Sequence, residues 1–366
     1  MGCGPLCDRE AVDEGGARRG GGACGAPPAG VRGKPVARQV LVIDHRDATR
    51  ALSMRRAIDV MRDTLVALER DVAQQPPRTM MRLPGGRDAF WIMPSQVNGT
   101  LGVKVLTAFP GNAGTGHDTH QGAVLLFGAH GELLAMVDAT AMTAIRTAAV
   151  SGVATDALAR DDARVLAILG SGAQAIAHVE AVLAVRTIAQ VRVWSRSPEN
   201  AERLAEDAAA RFGVGVSVSG SVEDAVRDAD VVCTTTAAHD PILQGAWLRP
   251  GAHVNAIGSG SAADREVDGA TLHRARIYVD SMESAMREAG DVLLAIAERA
   301  ITEADVIGDL GGVLVGRLPG RRTAEEVTLF KSVGLGAEDV AAARASYEEC
   351  LRLGLGHEVA FGNLSS

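Results

Sequence analysis

The chain has 366 residues, 47% of them hydrophobic, and carries 37 basic against 45 acidic side chains for a net charge of −8. That length exceeds one ordinary core, so two domains are expected. The negative balance and an aromatic content of 3% argue against a nucleic-acid surface, which needs a basic face or stacking platforms. No apolar run approaches the roughly 18 residues that span a bilayer, and no apolar h-region opens the chain, so neither a membrane span nor a secretory signal is expected.

Residues 1–37 are rich in Gly, Pro and Arg without apolar periodicity and read as a disordered leader. Cys3, Cys7 and Cys24 lie there, Cys233 and Cys350 elsewhere. Their spacing fits neither a metal site nor a disulfide framework, so a reducing cytoplasm is expected. Gln39–Ile43 reads as a strand. Asp47 to Val72 reads as a helix with Leu52, Ala57, Ile58, Met61, Leu65 and Leu68 at helical spacing, stopped by Pro76-Pro77. Strands follow at Arg78–Leu83, Ala89–Met93 and Leu101–Phe109, then a hairpin of Ala123–Phe127 and Leu133–Val137. This predicts a mostly antiparallel sheet. An Ala-rich helix from Thr143 to about Leu158 leads into the next region.

From Arg164 the pattern changes to alternating strands and helices, which implies a parallel sheet. Strands are expected at Arg164–Leu169, Val191–Trp194, Val214–Val218, Asp230–Thr234, His253–Ile257 and Arg276–Asp280. Helices are expected to about Val185, from Pro198 to about Phe212 and over Ser221–Asp228. Segments past Gly308 are turn-rich, and a last helix, Ala337–Leu353, is expected to pack back on the first region. The fold class is α/β, a mostly antiparallel first region followed by a parallel-sheet second one.

The motif with the clearest chemistry is Gly170-x-Gly172-x-x-Ala175. Placed between a strand and a helix it is a dinucleotide fingerprint: Gly170 makes the tight turn, Gly172 lets backbone approach a pyrophosphate, and Ala175 permits close helix–strand packing. The next helix end supplies unpaired N–H groups and a positive dipole end. Where an NAD-type fold places a carboxylate for the ribose, this chain has Ser195-Arg196-Ser197, with Asn200 in the first turn of the following helix. Arg196, two hydroxyls and a helix N-terminus make a phosphate cradle, which favours NADPH over NADH. In the first region Arg78 follows two prolines, Lys104 sits among apolar neighbours, and Arg146 lies on an Ala/Thr helix. Burial of Lys104 would lower its pKa and suit it to proton donation. On periodicity alone, each of the three reads as an ordinary surface or ion-paired residue, and His120 as a structural histidine.

From about Val40 to Leu353 the chain resembles the ornithine cyclodeaminase/mu-crystallin family. The resemblance is carried by Gln75-Pro76-Pro77-Arg78, Gly102-Val103-Lys104-Val105, His120-Gln121-Gly122, Thr143 to Ala149 and Gly170 to Ala175. It continues through Arg265-Glu266-Val267-Asp268, Glu288-Ala289-Gly290-Asp291 and Thr328 to Ser332. It implies a Rossmann domain at 161–327 inserted into an α+β substrate-binding domain, built from 38–160 and 328–366, that also forms a homodimer. It implies that Arg78 pairs with a substrate carboxylate, that Lys104 contacts substrate and transfers a proton, and that Glu288 faces the substrate. Thr119, His120 and Arg146 would border the cofactor, and Ala173, Gln174, Thr236, Ile257 and Ser332 would line it. Cyclodeaminases of the family carry an Asp after the glycine equivalent to Gly258. Here that position aligns with Gly260, and Asp264 is offset by four residues. The expected activity is therefore NADPH-dependent reduction of a carboxylate-bearing imine. Three alternatives stand beside it: reductive amination of a 2-keto acid by an amino-acid dehydrogenase, ornithine cyclodeamination (disfavoured by Gly260), and NADPH-dependent ligand binding without turnover.

Overall fold

The computed structural model describes residues 39–86, 88–112 and 114–362; the leader and its three cysteines lie outside them. Fifteen strands among the described residues form two sheets. The first has seven, in the spatial order His357–Ala360, Gln39–Ile43, Leu133–Asp138, His120–Phe127, Thr100–Ala108, Ala89–Val97 and Thr79–Arg82. All its neighbours are antiparallel except Gln39–Ile43 against Leu133–Asp138. The sequence reading lacked the strand His357–Ala360, which is short, exposed and at the sheet edge.

The helix expected over Asp47 to Val72 is two helices, His45–Ala51 and Met54–Glu69. Ser53 ends the continuity: it adopts extended backbone and its hydroxyl accepts from the Arg56 N–H, a cap that competes with helix continuation. The strand expected to stop at Met93 runs on through Pro94 to Val97. Pro94 is tolerated because the outer neighbour Thr79–Arg82 pairs only as far as Ile92, so the missing N–H breaks no ladder bond there.

The helix Gly336–Leu353 lies on the inner face of this sheet. A Cβ on Gly102 would sit 2.8 Å from Val340 Cγ2, so a glycine on the strand lets the helix approach. Val340, Val124, Leu126, Met142 and Val150 share one apolar cluster. The helix Ala139–Leu158, capped by Asp138, is buried on nearly every side. Its cluster includes both Val137 of the first sheet and Ile257, Tyr278 and Phe330 beside the second. An all-round apolar, Ala-rich helix fits between two layers.

The second sheet has eight parallel strands in the order Val306–Asp309, Ala275–Val279, Val327–Lys331, His253–Ala256, Val231–Thr234, Val165–Leu169, Gln190–Trp194 and Gly215–Val218. From Val165–Leu169 the chain first builds toward one edge, then returns to the other side. That reversal opens a crevice at the carboxyl ends of Val165–Leu169 and Val231–Thr234. One boundary is corrected. Residues 328–331, assigned by sequence to the substrate domain, belong to this parallel sheet as part of Val327–Lys331. That strand is buried throughout, as a central parallel strand covered on both faces must be.

Candidate active site

The glycine turn sits at the crevice. Gly170 has φ +124°, and a Cβ there would lie 2.7 Å from the Thr235 carbonyl oxygen; only glycine fits both constraints. The Gly170 N–H donates to the Trp194 carbonyl at 2.8 Å, and the Thr235 N–H to that of Leu169 at 2.8 Å. Gly172 caps the helix Ala173–Val185 without a side-chain hydrogen bond, and a Cβ on it would meet nothing within 4 Å. Uncapped N–H groups facing open space suit a pyrophosphate.

Beside this turn lies a cleft of about 490 Å³ between two helix starts, lined by Ser171, Gly172, Ala173, Asn200 and Arg203 among others. The Ser171 and Ser195 hydroxyls are 2.8 Å apart, and the Ser197 N–H donates to Ser195 Oγ at 3.3 Å. Ser197 caps the helix Pro198–Phe212 by accepting from the Asn200 N–H. Arg196 is exposed and makes no ion pair or hydrogen bond among the described residues. Arg203, which the sequence reading did not single out, donates to Asn200 Oδ1. Its signal was its place one turn after Asn200 on the same helix. The residues present fit a dinucleotide; the Ser197 hydroxyl donates to Glu199 Oε2 at 2.8 Å, and Asp207 lines the same cleft.

On the first sheet, Lys104 pairs across the ladder with Met93, and Leu106 with Trp91. Lys104, Trp91 and Leu106 therefore share the inward face. Lys104 is buried; its Nζ donates to Thr143 Oγ1 at 2.7 Å and to Asp339 Oδ1 at 3.0 Å. Burial lowers its pKa to about 8, assisted by Arg146 and Arg78 and opposed by Asp339. Arg146 is buried beneath it. Its Nε donates to the same Asp339 oxygen at 3.0 Å and its Nη1 to Glu338 Oε2 at 2.9 Å. Burial pushes Glu338 up to about 8, with Asp280 and Asp339 adding to the effect and Arg146 opposing it. Arg146 is thus met by the Asp339 carboxylate and by the Glu338 carboxyl, both on the first turn of the last helix.

Arg78 is held at one nitrogen. Its Nη2 donates to the carbonyls of Val333 and Gly334 at 2.9 and 3.1 Å and lies 2.6 Å from Glu288 Oε2. Its Nε and Nη1 make no bond among the described residues. The guanidinium carbon stands 5.5 Å from the Trp91 ring centre, and the Trp91 and His120 rings meet edge to face at 6.3 Å. The Thr119 hydroxyl is 3.2 Å from His120 Nδ1. His120 has a lowered pKa through burial of part of its ring and the Lys104 charge. Glu288 is placed against Arg78, and burial raises its pKa while Arg78 opposes the rise.

The remaining sequence-derived positions are tied to buried carboxylates. Ser332 donates its hydroxyl to Asp280, which also takes the N–H groups of Val333 and Gly334 and so shapes the loop under Arg78. Thr236 gives both N–H and hydroxyl to Glu266, which also accepts from Thr234 Oγ1 and the Gly258 N–H. One carboxylate thereby fixes the ends of two strands next to Ile257. Asp291 accepts from the Glu266 and Val267 N–H groups and pairs with the buried Lys331 at 2.8 Å. Gln174 donates to the Thr143 carbonyl at 3.3 Å, linking the fingerprint helix to the Lys104 side. The Asp264 carboxylate is taken by His239 Nδ1 at 2.6 Å; a Cβ on Gly260 would meet nothing within 4 Å.

A family model described as "Ornithine cyclodeaminase/mu-crystallin family" matches residues 39–353. The chain belongs to the ornithine cyclodeaminase/mu-crystallin family. Among its relatives, ketimine reductase mu-crystallin of Mus musculus is 40% identical over 277 residues, 75% of this chain and 84% of that protein. The structure of Thermococcus litoralis Δ1-pyrroline-2-carboxylate reductase in complex with NADH and L-proline aligns with a TM-score of 0.85 and 33% identity, covering 87% of this chain and all of that one. An archaeal alanine dehydrogenase dimer with bound NAD aligns with a TM-score of 0.84 and 30% identity, covering 89% and 100%. As a member of this family, the chain carries a Rossmann-type α/β fold with a dinucleotide crevice facing a basic, partly apolar wall.

Proposed function

We propose that this protein is an NADPH-dependent reductase of a carboxylate-bearing imine, a pyrroline- or piperideine-carboxylate-like ketimine, and that it yields a cyclic or N-substituted amino acid. The observation that carries the reading is the pairing, on one wall, of Arg78 with two unengaged guanidinium nitrogens and a buried Lys104 with a pKa of about 8. Arg78, anchored by loop carbonyls and Glu288, grips the substrate carboxylate through a charge-assisted bond. When bound, the cofactor supplies a hydride to the imine carbon. Lys104, protonated at neutral pH, gives the nitrogen its proton, directly or through a water it orients; the C=N bond becomes CH–NH and one proton is consumed. Asp339 and Thr143 keep the ammonium in place. His120 and Trp91 wall the pocket on Lys104's side.

NADPH rather than NADH is supported by Arg196, Arg203 and the Ser195/Ser197 hydroxyls. Reductive amination of a 2-keto acid uses the same groups and is the nearest second reading, favoured by the likeness to alanine dehydrogenase. Ornithine cyclodeamination is disfavoured because Asp264 is engaged by His239 and Gly260 carries no carboxylate. A homodimer is supported by the outward face of the first sheet, where Ile92, Leu101, Val103, Val105, Leu125 and Met136 face away from Lys104, Leu101 being 48% and Met136 40% exposed; apolar sheet faces of this kind are commonly buried in an interface. The two described cysteines, Cys233 and Cys350, are free and buried, which accords with a reducing cytoplasm. The test is oxidation of NADPH and of NADH against a panel of cyclic imino acids and keto-acid/amine pairs. Turnover of an imino acid that Lys104→Ala abolishes is expected. Stoichiometric ligand binding with no NADPH oxidation anywhere in the panel would favour a binding protein instead.

A further inference from the structure

Asp280 was not singled out by sequence, and its partners are concentrated on one loop. Val279 pairs in parallel with Lys331, so Asp280 and Ser332 are the next residues past the ends of two adjacent strands. Asp280 is 3% exposed. Its Oδ2 accepts the Ser332 hydroxyl at 2.9 Å and the Val333 and Gly334 N–H groups at 2.8 and 2.7 Å, and its Oδ1 accepts the Ser281 N–H at 2.9 Å. The carbonyls of Val333 and Gly334 are the ones that accept from Arg78 Nη2, at 2.9 and 3.1 Å. The Val333 carbonyl and the Gly334 N–H belong to one planar peptide and leave it on opposite edges. Arg78 thus holds one edge of that peptide and Asp280 the other. Bonds in series through one peptide polarise each other, and a rotation that breaks one breaks both. Gly334 has φ +79°, and a Cβ on it would lie 2.5 Å from Arg146 Nη1, so only glycine fits the turn that presents both carbonyls.

We infer that Asp280 is a positioning residue for the substrate carboxylate: it fixes the Val333–Gly334 peptide, the peptide fixes Nη2 of Arg78, and Nε and Nη1 are thereby kept in one orientation for the ligand. The inference rests on the imino-acid reading above. Without the Asp280 charge the loop N–H groups lose a charge-assisted acceptor. The long Arg78 side chain then has more orientations to give up when a ligand binds. A role for Asp280 through space alone predicts the opposite. Its negative charge disfavours an incoming anion, so removing it while Arg78 stayed in place would tighten binding of a carboxylate. The direction of the change in KM therefore separates the two roles.

The test compares wild type, Asp280→Asn, Arg78→Gln and the double variant at saturating NADPH. The probes are Δ1-piperideine-2-carboxylate and the same ring without the carboxylate, 1-piperideine. Asp280→Asn should raise KM for the carboxylate substrate roughly tenfold with kcat little changed. KM for 1-piperideine, or its Ki if it binds without turnover, should stay as in wild type. In the Arg78→Gln background, where the grip is already lost, Asp280→Asn should change KM for the carboxylate substrate by less than about twofold. An unchanged or lowered KM in folded Asp280→Asn, an equal rise for both imines, or the same rise in both backgrounds overturns the inference. If Asp280→Asn does not fold, hydrogen exchange reads the coupling from the other end. The Gly334 amide should then exchange several times faster in Arg78→Gln than in wild type, and equal protection would overturn the inference. Wild type that turns over both imines with the same kcat/KM would overturn the carboxylate reading itself and this inference with it, a result visible before any variant is made.

Discussion

Replacing Asp339 by Asn should move the pH dependence of the reaction. Lys104 must be protonated to donate, so kcat/KM falls as pH rises through its pKa of about 8. Asp339 is the one carboxylate bonded to the ammonium; Arg146 and Arg78 both push the other way, and Thr143 is neutral. With Nζ and Oδ1 3.0 Å apart and an effective dielectric of about 20, the pair's Coulomb energy is about 5 kcal/mol. The amide dipole that Asn retains and a shift of Arg146 away from Lys104, toward Glu338, reduce the effect. The expected displacement is therefore about two pH units downward, rather than the roughly four that the full energy would give. At pH 7.5 this means kcat/KM about twentyfold below wild type, recovered near pH 5.5. The assay is NADPH oxidation across pH 5.5–9 with a cyclic imino acid, with thermal unfolding as a check, since breaking a buried pair costs about 3–5 kcal/mol of stability. A folded Asn variant whose alkaline limb stays near pH 8 would refute the assignment of that limb to Lys104.

Three further outcomes are expected. Arg196→Ala and Arg203→Ala should each lower kcat/KM for NADPH by roughly tenfold and leave NADH unchanged, as loss of a charge-assisted phosphate bond does; fluorescence titration with 2′,5′-ADP against 5′-AMP reads the same loss without turnover. Glu338 binds more protons folded than unfolded between pH 4.5 and about 8, so its burial costs stability increasingly as pH rises across that window. Glu338→Gln should flatten the pH–stability curve there and gain about 1–2 kcal/mol at pH 8.5, measured by urea unfolding. Gly170→Ala places a Cβ 2.7 Å from the Thr235 oxygen at φ +124° and should cost about 1–3 kcal/mol or more and abolish dinucleotide binding by calorimetry.

What the sequence made legible was mostly local. The Gly170 turn, the Ser197-Pro198 helix start and the antiparallel ladder around Lys104 depend on neighbours a few residues away, and their residue types carry the geometry. The partners of the charged residues were not legible. Glu338 and Asp339 have the local pattern of an acidic helix start, which a helix dipole favours at the surface; only the docking of that helix against Gly102 buries them under Lys104 and Arg146. Glu266, Asp291 and Lys331 lie in segments that carry the family resemblance, but nothing local names their partners; they are buried and tie the strand ends together. Lys331 offered one hint, a lone cation closing the apolar run Val327–Phe330. The insertion of Val327–Lys331 between two earlier strands is a long-range pairing with no local signature, and so the expected boundary fell inside a strand. Trp91, an aromatic in a strand, likewise meets Arg78 and His120 only in three dimensions.

Isotope transfer follows the hydride itself from NADPH to the carbon of a carboxylate-bearing imine. Incubating the protein with NADPH carrying deuterium at both hydrogens of nicotinamide C4 and Δ1-piperideine-2-carboxylate should give an amino acid carrying one deuterium on the carbon that bears the carboxylate, read by mass spectrometry, in equal amount to the NADPH oxidised. An unlabelled product, or ammonia released from ornithine with no net cofactor change, would contradict the account.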